Sequence, residues 1–457
     1  MALPVVAIVG RTNVGKSSLF NRLLGRKMAV VEDFPGVTRD RLYAEAELDR
    51  RWVLLIDTGG IVGGEGDELF ARVKDQAARA LKQADAIIML VDGQEGLTAL
   101  DHEVADIVRR SGKPYLLAAN KMEKTSLDSE AFAELRLGLP VDISAVHGRG
   151  LQELVEEVEE LLPPEGEGKT AEPDALAVAI IGHPNVGKSA LTNAIVGEDR
   201  VIVSDLPGTT RDSIDTVFVR KGERWRLIDT AGLRRRGKRH DTEFYTSLRT
   251  LRSLARSQVA IVVIDAYEGP SAQDARVAGE AHELGRALVL VANKWDLLKQ
   301  YAQPTEEHPD LDPKQAEKTL KSDLKQLIAK EMPFASYVPL VFTSAVTGEG
   351  LPELLGTVRS VADCFRRRIE TGKLNRTIRE AMARHAPPTR KGRQLKIYYA
   401  TQVRAEPPSF ALFVNDPKLA HLSYERYLIN FLRDEYDFTG TPLRIFWRAR
   451  RREDEER

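Results

Sequence analysis

The sequence predicts an α/β protein with two consecutive doubly wound domains, each built on a mostly parallel sheet, followed by a small carboxy-terminal α+β domain. The repeat is visible as Gly-Arg-Thr-Asn-Val-Gly-Lys-Ser at 10–17 and Gly-His-Pro-Asn-Val-Gly-Lys-Ser at 182–189. Each follows a short apolar run, Val5–Val9 or Ala177–Ile181, and precedes a helical pattern. A change to basic sequence with paired prolines after residue 365 predicts the last domain.

Size and composition limit the possible classes. A chain of 457 residues fits about three domains, and 42% hydrophobic with 30% charged residues is typical of packed cores under a polar surface. The single cysteine, Cys364, excludes a disulfide framework and a zinc site built from several cysteines. No apolar run approaches the roughly 20 residues of a membrane span, so we expect a cytoplasmic protein with no membrane partner.

Charge is divided unevenly along the chain. Residues 365–457 hold 21 Lys and Arg against 12 Asp and Glu, a net charge of +9, whereas residues 1–364 have a net charge of −10. The basic segment predicts an anionic partner, with nucleic acid first. The alternative is a solvated basic surface without a partner.

The two repeated segments have the spacing G-x-x-x-x-G-K-S of a phosphate-binding loop. Their glycines let the backbone wrap so that successive N–H groups face a polyphosphate, and the following helix adds the positive end of its dipole. The ammonium groups of Lys16 and Lys188 would reach the outer phosphates, and the hydroxyls of Ser17 and Ser189 would bind Mg²⁺. Each domain is therefore predicted to bind a nucleotide.

A second repeated feature is the segment Pro-Gly-x-Thr-Arg-Asp at 35–40 and 207–212. Its threonines, Thr38 and Thr210, are 172 positions apart, as the two loops are. In a loop that closes over bound nucleotide, such a threonine can give its hydroxyl to Mg²⁺ and its N–H to the terminal phosphate. The alternative, an ordinary turn with a capping threonine, does not account for a pair in matching register.

Short strands at 52–56 and 224–228 each lead into an Asp-Thr-x-Gly sequence. An aspartate at the carboxyl end of a buried strand can hold the Mg²⁺ shell, and the glycine three residues later can approach the γ-phosphate through its N–H. These residues are predicted to complete the phosphate side of each site.

Two further strands lead into Asn-Lys-Met-Glu at 120–123 and Asn-Lys-Trp-Asp at 293–296. A carboxylate at the last position accepts from the ring N–H and the exocyclic amine of guanine, whereas adenine offers no such pair of donors on that edge. The Ser-Ala pairs at 144–145 and 344–345 can offer a backbone N–H to the guanine carbonyl. In this order the motifs predict guanine nucleotides.

With these motifs in both halves, the chain resembles the Ras-like fold of P-loop GTPases and, more closely, the Der (EngA) family of bacterial tandem GTPases. The duplicated Pro-Gly-x-Thr-Arg-Asp, the apolar residue after Asp-Thr-x-Gly and the basic last domain favour this family, and the match covers nearly the whole chain. The resemblance implies two Ras-like P-loop GTPase domains and a KH-like domain. It also implies hydrolysis of GTP to GDP and phosphate at two sites, Mg²⁺, and a role in assembly or stability of the large ribosomal subunit through its rRNA.

The residues expected at the two nucleotide sites form matching sets. In the first domain they are Gly10, Arg11, Thr12, Asn13, Val14, Gly15, Lys16, Ser17, Asp57, Thr58, Gly59, Gly60, Ile61, Asn120, Lys121, Met122, Glu123, Ser144 and Ala145. In the second they are Gly182, His183, Pro184, Asn185, Val186, Gly187, Lys188, Ser189, Asp229, Thr230, Ala231, Gly232, Leu233, Asn293, Lys294, Trp295, Asp296, Ser344 and Ala345.

A smaller group is expected to take part in the reaction. The residues expected to act in catalysis are Lys16, Thr38, Gly60, Lys188, Thr210 and Gly232. The expected Mg²⁺ ligands are Ser17, Thr38, Asp57, Ser189, Thr210 and Asp229. Because phosphoryl transfer relies on positioning and charge stabilisation, we expect no nucleophilic side chain.

The residue after the Asp-Thr-x-Gly glycine departs from the common Ras-like pattern. A glutamine there often orients the attacking water, but this chain has Ile61 and Leu233, whose side chains cannot hydrogen-bond a water. The chain is similar here to GTPases in which a loop asparagine helps to bind a monovalent cation, and Asn13 and Asn185 match that position. We predict slow intrinsic hydrolysis stimulated by K⁺, which would stabilise transition-state charge.

Two other positions distinguish the halves. Glu123 stands where the family has aspartate, and its extra methylene predicts weaker or less selective guanine binding in the first domain. The segment Arg234–Arg239 is densely basic, whereas Ile61–Gly66 is not. The basic segment is either a solvated loop or a surface presented to RNA in one nucleotide state.

The predicted domain limits follow from the motifs. The first GTPase domain takes residues 1–162, a flexible linker residues 163–175, and the second GTPase domain residues 176–364. A KH-like domain at 365–447 and a charged tail at 448–457 complete the chain.

The second GTPase domain carries an insertion before its Ser-Ala pair. It predicts a polar loop at 300–313 and a helix at 314–330. One face of this helix would carry Leu320, Leu324, Leu327 and Ile328.

The last domain is predicted to have helices at 374–385 and 424–436 and strands at 394–402, 410–414 and 442–447. It has no Gly-x-x-Gly, the segment with which a conventional KH module clamps RNA backbone. Binding to RNA would therefore use charge and exposed aromatic side chains; the alternative role is to dock the GTPase domains. The basic candidates for RNA contact are Arg390, Lys391, Arg393 and Lys396.

The favoured interpretation is a monomeric tandem GTPase that uses its nucleotide state to control association with rRNA, with no DNA partner. The alternative of a different class is a nucleotide-dependent RNA-binding switch in which hydrolysis is incidental. A tRNA-modification or membrane-associated GTPase fits poorly, because the sequence has no further catalytic cysteine and no amphipathic anchor.

Overall fold

The computed structural model describes residues 3–24, 43–49, 51–58, 84–122, 129–163, 175–198, 215–229, 250–251, 253–303, 312–390 and 392–449. They divide into two compact units, one with a first six-stranded sheet and one with a second six-stranded sheet and the carboxy-terminal elements. Within these ranges, no helix has the length and apolar character needed to cross a membrane.

The first sheet is formed by six strands whose interior members are buried on both faces. They are β1 (Val5–Val9), β2 (Tyr43–Glu47), β3 (Trp52–Asp57), β4 (Ala86–Asp92), β5 (Tyr115–Asn120) and β6 (Val141–Asp142). Their order is β2-β3-β1-β4-β5-β6, and all neighbours are parallel except β2 and β3, which are antiparallel. Because helices cover both faces of such a sheet, its central strands are continuous apolar runs.

Helices on both faces of the first sheet form two separate cores. Val6 and Ile8 of β1 face one core, whereas Ala7 and Val9 face the other, as the twofold alternation of a strand requires. Within the described ranges the helices of this domain are α1 (Lys16–Leu24), α2 (Ala99–Arg110) and α3 (Leu151–Leu161), with a short 3₁₀ helix at Ser129–Leu135. The arrangement confirms the predicted doubly wound fold.

The second sheet repeats the first. Its strands are β7 (Leu176–Ile181), β8 (Thr216–Arg220), β9 (Glu223–Ile228), β10 (Val259–Asp265), β11 (Ala287–Asn293) and β12 (Leu340–Phe342). They lie in the order β8-β9-β7-β10-β11-β12, with only β8 and β9 antiparallel. Each strand thus occupies the position of its counterpart six strands earlier.

The helices of the second GTPase domain include the predicted insertion helix. Those in the part of the domain that the structure describes are α4 (Lys188–Glu198), α5 (Ala272–Glu283), α6 (Trp295–Lys299), α7 (Pro313–Glu331) and α8 (Leu351–Phe365). In α7, Leu324 and Ile328 are buried, but Leu327 is 51% exposed, so the apolar face is narrower than predicted. Gln300–Ala302 forms a 3₁₀ turn where a loop was predicted, and residues 304–311 lie outside the described ranges.

The carboxy-terminal elements form a small α+β domain with its own core. They are α9 (Thr371–Arg384), β13 (Thr389–Arg390), β14 (Arg393–Gln394), β15 (Ile397–Arg404), β16 (Ser409–Val414), α10 (Leu422–Glu435) and β17 (Arg444–Ala449). β16 pairs antiparallel with β15 and parallel with β17. Leu374 and Leu428 from the two helices pack with Ala400 on one face of this sheet.

The single strand predicted over 394–402 is wrong at its start, because two elements share this stretch. Gln394 pairs with Thr389 in the β13–β14 hairpin, and β15 begins only at Ile397. Between them, the Lys396 N–H donates to the side-chain oxygen of Asn415 at 2.9 Å, so a side chain replaces a backbone partner there.

Candidate nucleotide-binding sites

Each phosphate loop leaves the end of a central strand and enters a helix, β1 into α1 and β7 into α4. Gly10 and Gly182 open the loops with φ values of 152° and 150°. A Cβ at these positions would lie 2.3 Å from the carbonyl oxygen of Leu90 and 2.5 Å from that of Val263. Only glycine fits this backbone beside the neighbouring strand.

The second glycine of each loop, Gly15 or Gly187, has a φ of 95° and faces the base-reading segment. A Cβ there would lie 2.3 Å from the Nδ2 atom of Asn120 or Asn293. The glycine is therefore required by a neighbouring asparagine as well as by the loop's own conformation.

The asparagine of each base-reading segment ties three parts of its site together. The Asn120 Nδ2 atom donates to the Val14 carbonyl oxygen at 2.8 Å, and its Oδ1 atom accepts from the Ala145 N–H at 2.9 Å. The corresponding distances at Asn293 are 2.9 and 3.2 Å. Each asparagine thus fixes the phosphate loop and the Ser-Ala turn to the end of a central strand.

The loop lysines point into their own loops. The Lys16 ammonium donates to the carbonyl oxygens of Gly10 and Arg11 at 2.9 and 2.6 Å, and Lys188 makes the same two contacts at the same distances. Burial lowers the pKa of each ammonium group to about 8. Because a buried cation without a full countercharge is unfavourable, the anionic phosphates of a nucleotide would stabilise it.

The first site brings the expected Mg²⁺ residues into contact. The hydroxyl of Ser17, the last residue of the phosphate loop, donates to the Asp57 carboxylate at 2.6 Å. Mg²⁺ prefers oxygen ligands and is usually held by one or two protein groups together with phosphate oxygens and waters. A hydroxyl and a carboxylate at this point fit such an ion.

The end of β9 differs from its counterpart in the first domain. Asp229 has a left-handed φ of 60°, and its N–H donates to the Asp215 carboxylate at 3.1 Å. Asp215 also forms an ion pair with Arg256. The backbone of the expected Mg²⁺ aspartate of the second site is therefore held by Asp215, which Arg256 pairs with in turn, whereas the Asp57 carboxylate accepts from the loop serine.

The aspartates that end β4 and β10 contact the base-reading segments of the candidate sites but were not predicted. Asp92 pairs with Lys121, and Asp265 pairs with Lys294. Burial of Asp92 alone would raise its pKa, but the hydrogen bonds from Lys121 and two backbone N–H groups lower it overall. A repeated sequence signal exists, because both residues open the pattern Asp-x-x-Glu-Gly.

The insertion helix α7 supports the second base-reading segment. Trp295 is 1% exposed and packs edge-on against Phe342, with ring centroids 4.8 Å apart. The Lys321 ammonium of α7 lies 5.4 Å from the Trp295 ring centroid. Asp296, the expected guanine reader, occupies the first turn of α6 directly after this anchor.

The remaining predicted residues within the described ranges have mainly structural contacts or lie on the loop surface. Val14, Val186, Met122, Ser144 and Ser344 are buried, Thr58 donates to the Ile8 carbonyl oxygen at 2.9 Å, Thr12 is half-buried, and Asn13, Pro184 and Asn185 are exposed. Outside the described ranges lie Thr38, Gly59, Gly60, Ile61, Glu123, Thr210, Thr230, Ala231, Gly232, Leu233 and the basic segment 234–239.

Two family models match segments of the chain. A model described as a 50S ribosome-binding GTPase matches residues 5–121 and again residues 177–294. A model described as the carboxy-terminal KH-domain-like region of EngA bacterial GTPase enzymes matches residues 368–448.

Relatives also match the chain over nearly its full length. The chain is 49% identical to the GTPase Der of Moorella thermoacetica over 457 residues, 48% identical to that of Pelotomaculum thermopropionicum over 456 and 47% identical to that of Geobacillus kaustophilus over 454. Each alignment covers 99% of this chain and 100% of the relative.

Proposed function

The chain belongs to the GTPase Der family, and from that membership we propose that this tandem GTPase uses its nucleotide state to control association with the rRNA of the large ribosomal subunit. The observation that carries the proposal is the uneven charge: residues 365–457 have a net charge of +9, against −10 for residues 1–364. The family whose model matches both GTPase domains is described as a 50S ribosome-binding GTPase, which supports the same partner.

Exposed side chains on β15 and next to it support RNA as the partner of the KH-like domain. Tyr398 is 47% exposed, and Tyr399, 37% exposed, stacks on Phe413 with ring centroids 4.2 Å apart. Arg393 and Lys396 are exposed nearby in sequence, whereas Lys391 lies outside the described ranges. Aromatic rings beside basic groups are the combination that binds single-stranded RNA without a Gly-x-x-Gly clamp.

Crosslinking to ribosomal particles tests this proposal. The full chain is loaded with GTP or GDP, mixed with large-subunit particles and crosslinked, and the RNA sites are mapped. We expect rRNA crosslinks whose amount or position depends on the nucleotide. Absence of any nucleotide-dependent crosslink would contradict the assembly role.

A slowly hydrolysed GTP analogue separates the two interpretations of that role. If hydrolysis drives release, the analogue supports one round of particle binding but not repeated rounds of subunit maturation. Normal repeated maturation with the analogue would instead favour an RNA-binding switch in which hydrolysis is incidental.

We also propose that K⁺ stimulates hydrolysis at both sites. Asn13 and Asn185 have left-handed φ values of 63° and 69°, and both are exposed on the rim of the phosphate loop. There a side-chain oxygen can share a cation with the nucleotide phosphates and stabilise transition-state charge. We expect faster GTP turnover in KCl than in NaCl at equal ionic strength; equal rates would contradict this mechanism.

The selectivity of the first site is proposed to depend on Glu123. We expect Glu123→Asp to improve the preference of the first site for GTP over ATP, measured with the second site silenced by Lys188→Ala. The matched control is Asp296→Glu in a Lys16→Ala background, which should lower the selectivity of the second site. Unchanged selectivity in both variants would argue against the role of side-chain length.

A further inference from the structure

The side chain of the second residue of each phosphate loop contacts the first turn of a later helix, α2 in the first domain and α5 in the second. Arg11 contacts Glu95 at 2.7 Å through Nη2 and Asp101 at 3.2 Å through Nε. His183 contacts Asp274 at 2.7 Å through Nδ1. Asp101 lies in the first turn of α2, and Asp274 lies at the matching position of α5.

The two helix aspartates are rigid, buried anchors. Both are 0% exposed. The Oδ2 atom of Asp101 accepts from the N–H and the hydroxyl of Thr98 at 2.9 and 2.7 Å, and Asp274 accepts the same two contacts from Ser271 at 3.0 and 2.7 Å. Because these capping contacts fix each carboxylate, the loop side chain that reaches it is fixed as well.

The backbone of the same loop residue holds the phosphate-binding lysine. Lys16 donates to the Arg11 carbonyl oxygen, and Lys188 donates to the His183 carbonyl oxygen, each at 2.6 Å. Each loop residue is therefore held on two sides, by a helix carboxylate through its side chain and by the lysine through its backbone. Releasing the side chain would free the stretch of loop that sets the lysine and the phosphate-facing N–H groups.

We propose that Arg11 and His183 are positioning residues that hold each phosphate loop ready for the nucleotide, and that the second loop is held less firmly. Arg11 spans two carboxylates, Glu95 and Asp101. The equivalent glutamate, Glu268, stands at the same place in the second Asp-x-x-Glu-Gly pattern, but among the described residues His183 has Asp274 as its only side-chain partner. This difference does not depend on the ribosomal role.

The effect of removing the loop side chain on nucleotide affinity is measured at one site at a time in the full chain. His183→Ala is made in a Lys16→Ala background, so that only the second site binds nucleotide. A loop that is correctly shaped only part of the time lowers the affinity for any nucleotide in proportion to that fraction. We expect the Kd for fluorescent GDP and for fluorescent GTP to rise by the same factor, about fivefold, because the side chain acts on the shape of the loop that both nucleotides share.

Exchange of the two loop residues, Arg11 and His183, gives the matched comparison. In the same background, His183→Arg should lower both Kd values below those of the parent, because the longer side chain can reach Glu268 as well as Asp274. Adding Glu268→Gln should remove that gain, whereas Glu268→Gln alone should change neither Kd. In a Lys188→Ala background, Arg11→His should raise both Kd values at the first site.

Two results would overturn the proposal. Unchanged Kd values for His183→Ala and Arg11→His, together with a lower Tm, would mean that the contacts only stabilise the fold. A rise in the Kd for GTP without a rise for GDP would mean that these residues act on the terminal phosphate rather than on the shape of the loop.

Discussion

Glu280 of α5 is a carboxyl group that is only 8% exposed. Burial raises its pKa from the usual 4.5 to about 7, against the opposing effect of Arg276, whose guanidinium lies 3.5 Å away. Between these two pH values the folded protein binds more protons than the unfolded chain, so the free energy of unfolding falls as pH rises through this window. Above about pH 7 the folded protein contains a buried carboxylate with only a half-exposed partner.

We therefore expect Glu280→Gln to increase the free energy of unfolding by roughly 2 kcal/mol at pH 8. The amide is nearly isosteric and needs no ionisation, and the lost contact to a half-exposed arginine is worth little. Urea unfolding at pH 8 and at pH 5 measures the effect, and the gain should shrink at pH 5, where the folded protein already holds the proton. Glu435→Gln, on the exposed side of α10, is the control and should show no pH-dependent gain.

At the scale of single residues, the sequence predicts local chemistry better than long-range contacts. The loop glycines could be predicted because the motif itself requires their backbone. The tether made by Asn120 could not, because its partners lie 106 and 25 positions away in the chain. Asp92 and Asp265 were missed for the same reason: only the folded sheet brings each next to its lysine.

In the second unit, a tight turn of the KH-like domain that contains Gly440 contacts the second GTPase domain. The Gly440 N–H donates to the Tyr337 carbonyl oxygen at 2.9 Å, and its carbonyl oxygen accepts from the Leu288 N–H, at the start of β11, at 2.7 Å. Nearby, the Arg433 guanidinium of α10 lies 4.0 Å from the Tyr337 ring centroid. These contacts fix the KH-like domain to the strand that ends in Asn293.

We expect Gly440→Ala to loosen this junction. Gly440 has a φ of 68°, and a Cβ there would lie 2.7 Å from both the Leu288 carbonyl oxygen and the Val361 Cγ2 atom. Left-handed strain and the two close contacts should together cost roughly 3 kcal/mol or more. Thermal unfolding followed by circular dichroism should show a lower Tm, and limited proteolysis should release the KH-like domain sooner.

The control is Gly392→Ala in the β13–β14 turn. Gly392 has a similar φ of 72°, but a Cβ there would meet nothing within 4 Å. It should therefore cost only the backbone strain, about 1 kcal/mol. Equal losses of stability in the two variants would show that the contacts around Gly440 do not hold the domains together.

At the scale of elements, the periodicity of the sequence was sufficient for most strands and helices but not for every boundary. The central strands are apolar runs because helices cover both faces of each sheet, so their positions could be read directly. The break before β15 could not, because the Asn415 side chain that replaces a backbone partner of Lys396 lies 19 positions away. In α7, Leu327 fits the helical period but faces solvent, since only the stripe of Leu324 and Ile328 has a neighbour to cover it.

For the whole molecule, the division of charge sets how binding to RNA should depend on salt. Each phosphate contact made by a Lys or Arg releases a counterion, so the binding constant falls as the salt concentration rises. In a plot of log K against log salt concentration, the slope is proportional to the number of phosphate contacts. Arg393 is 67% exposed and lies 3.7 Å from the Asp416 carboxylate, and Lys396 is exposed nearby in the sequence of the KH-like domain. Both can therefore approach an RNA backbone.

We expect the double variant Arg393→Ala/Lys396→Ala to weaken binding to rRNA fragments to a similar extent whatever their sequence, and to reduce the salt slope by about 2. Fluorescence anisotropy over a series of KCl concentrations measures both quantities. The matched control is Lys325→Ala/Lys330→Ala, which removes the same charge from the exposed side of α7 in the second GTPase domain. If the two pairs reduce the slope equally, exposed basic side chains of either domain attract RNA without a defined site. If only the first pair reduces it, the phosphate contacts lie on the KH-like domain.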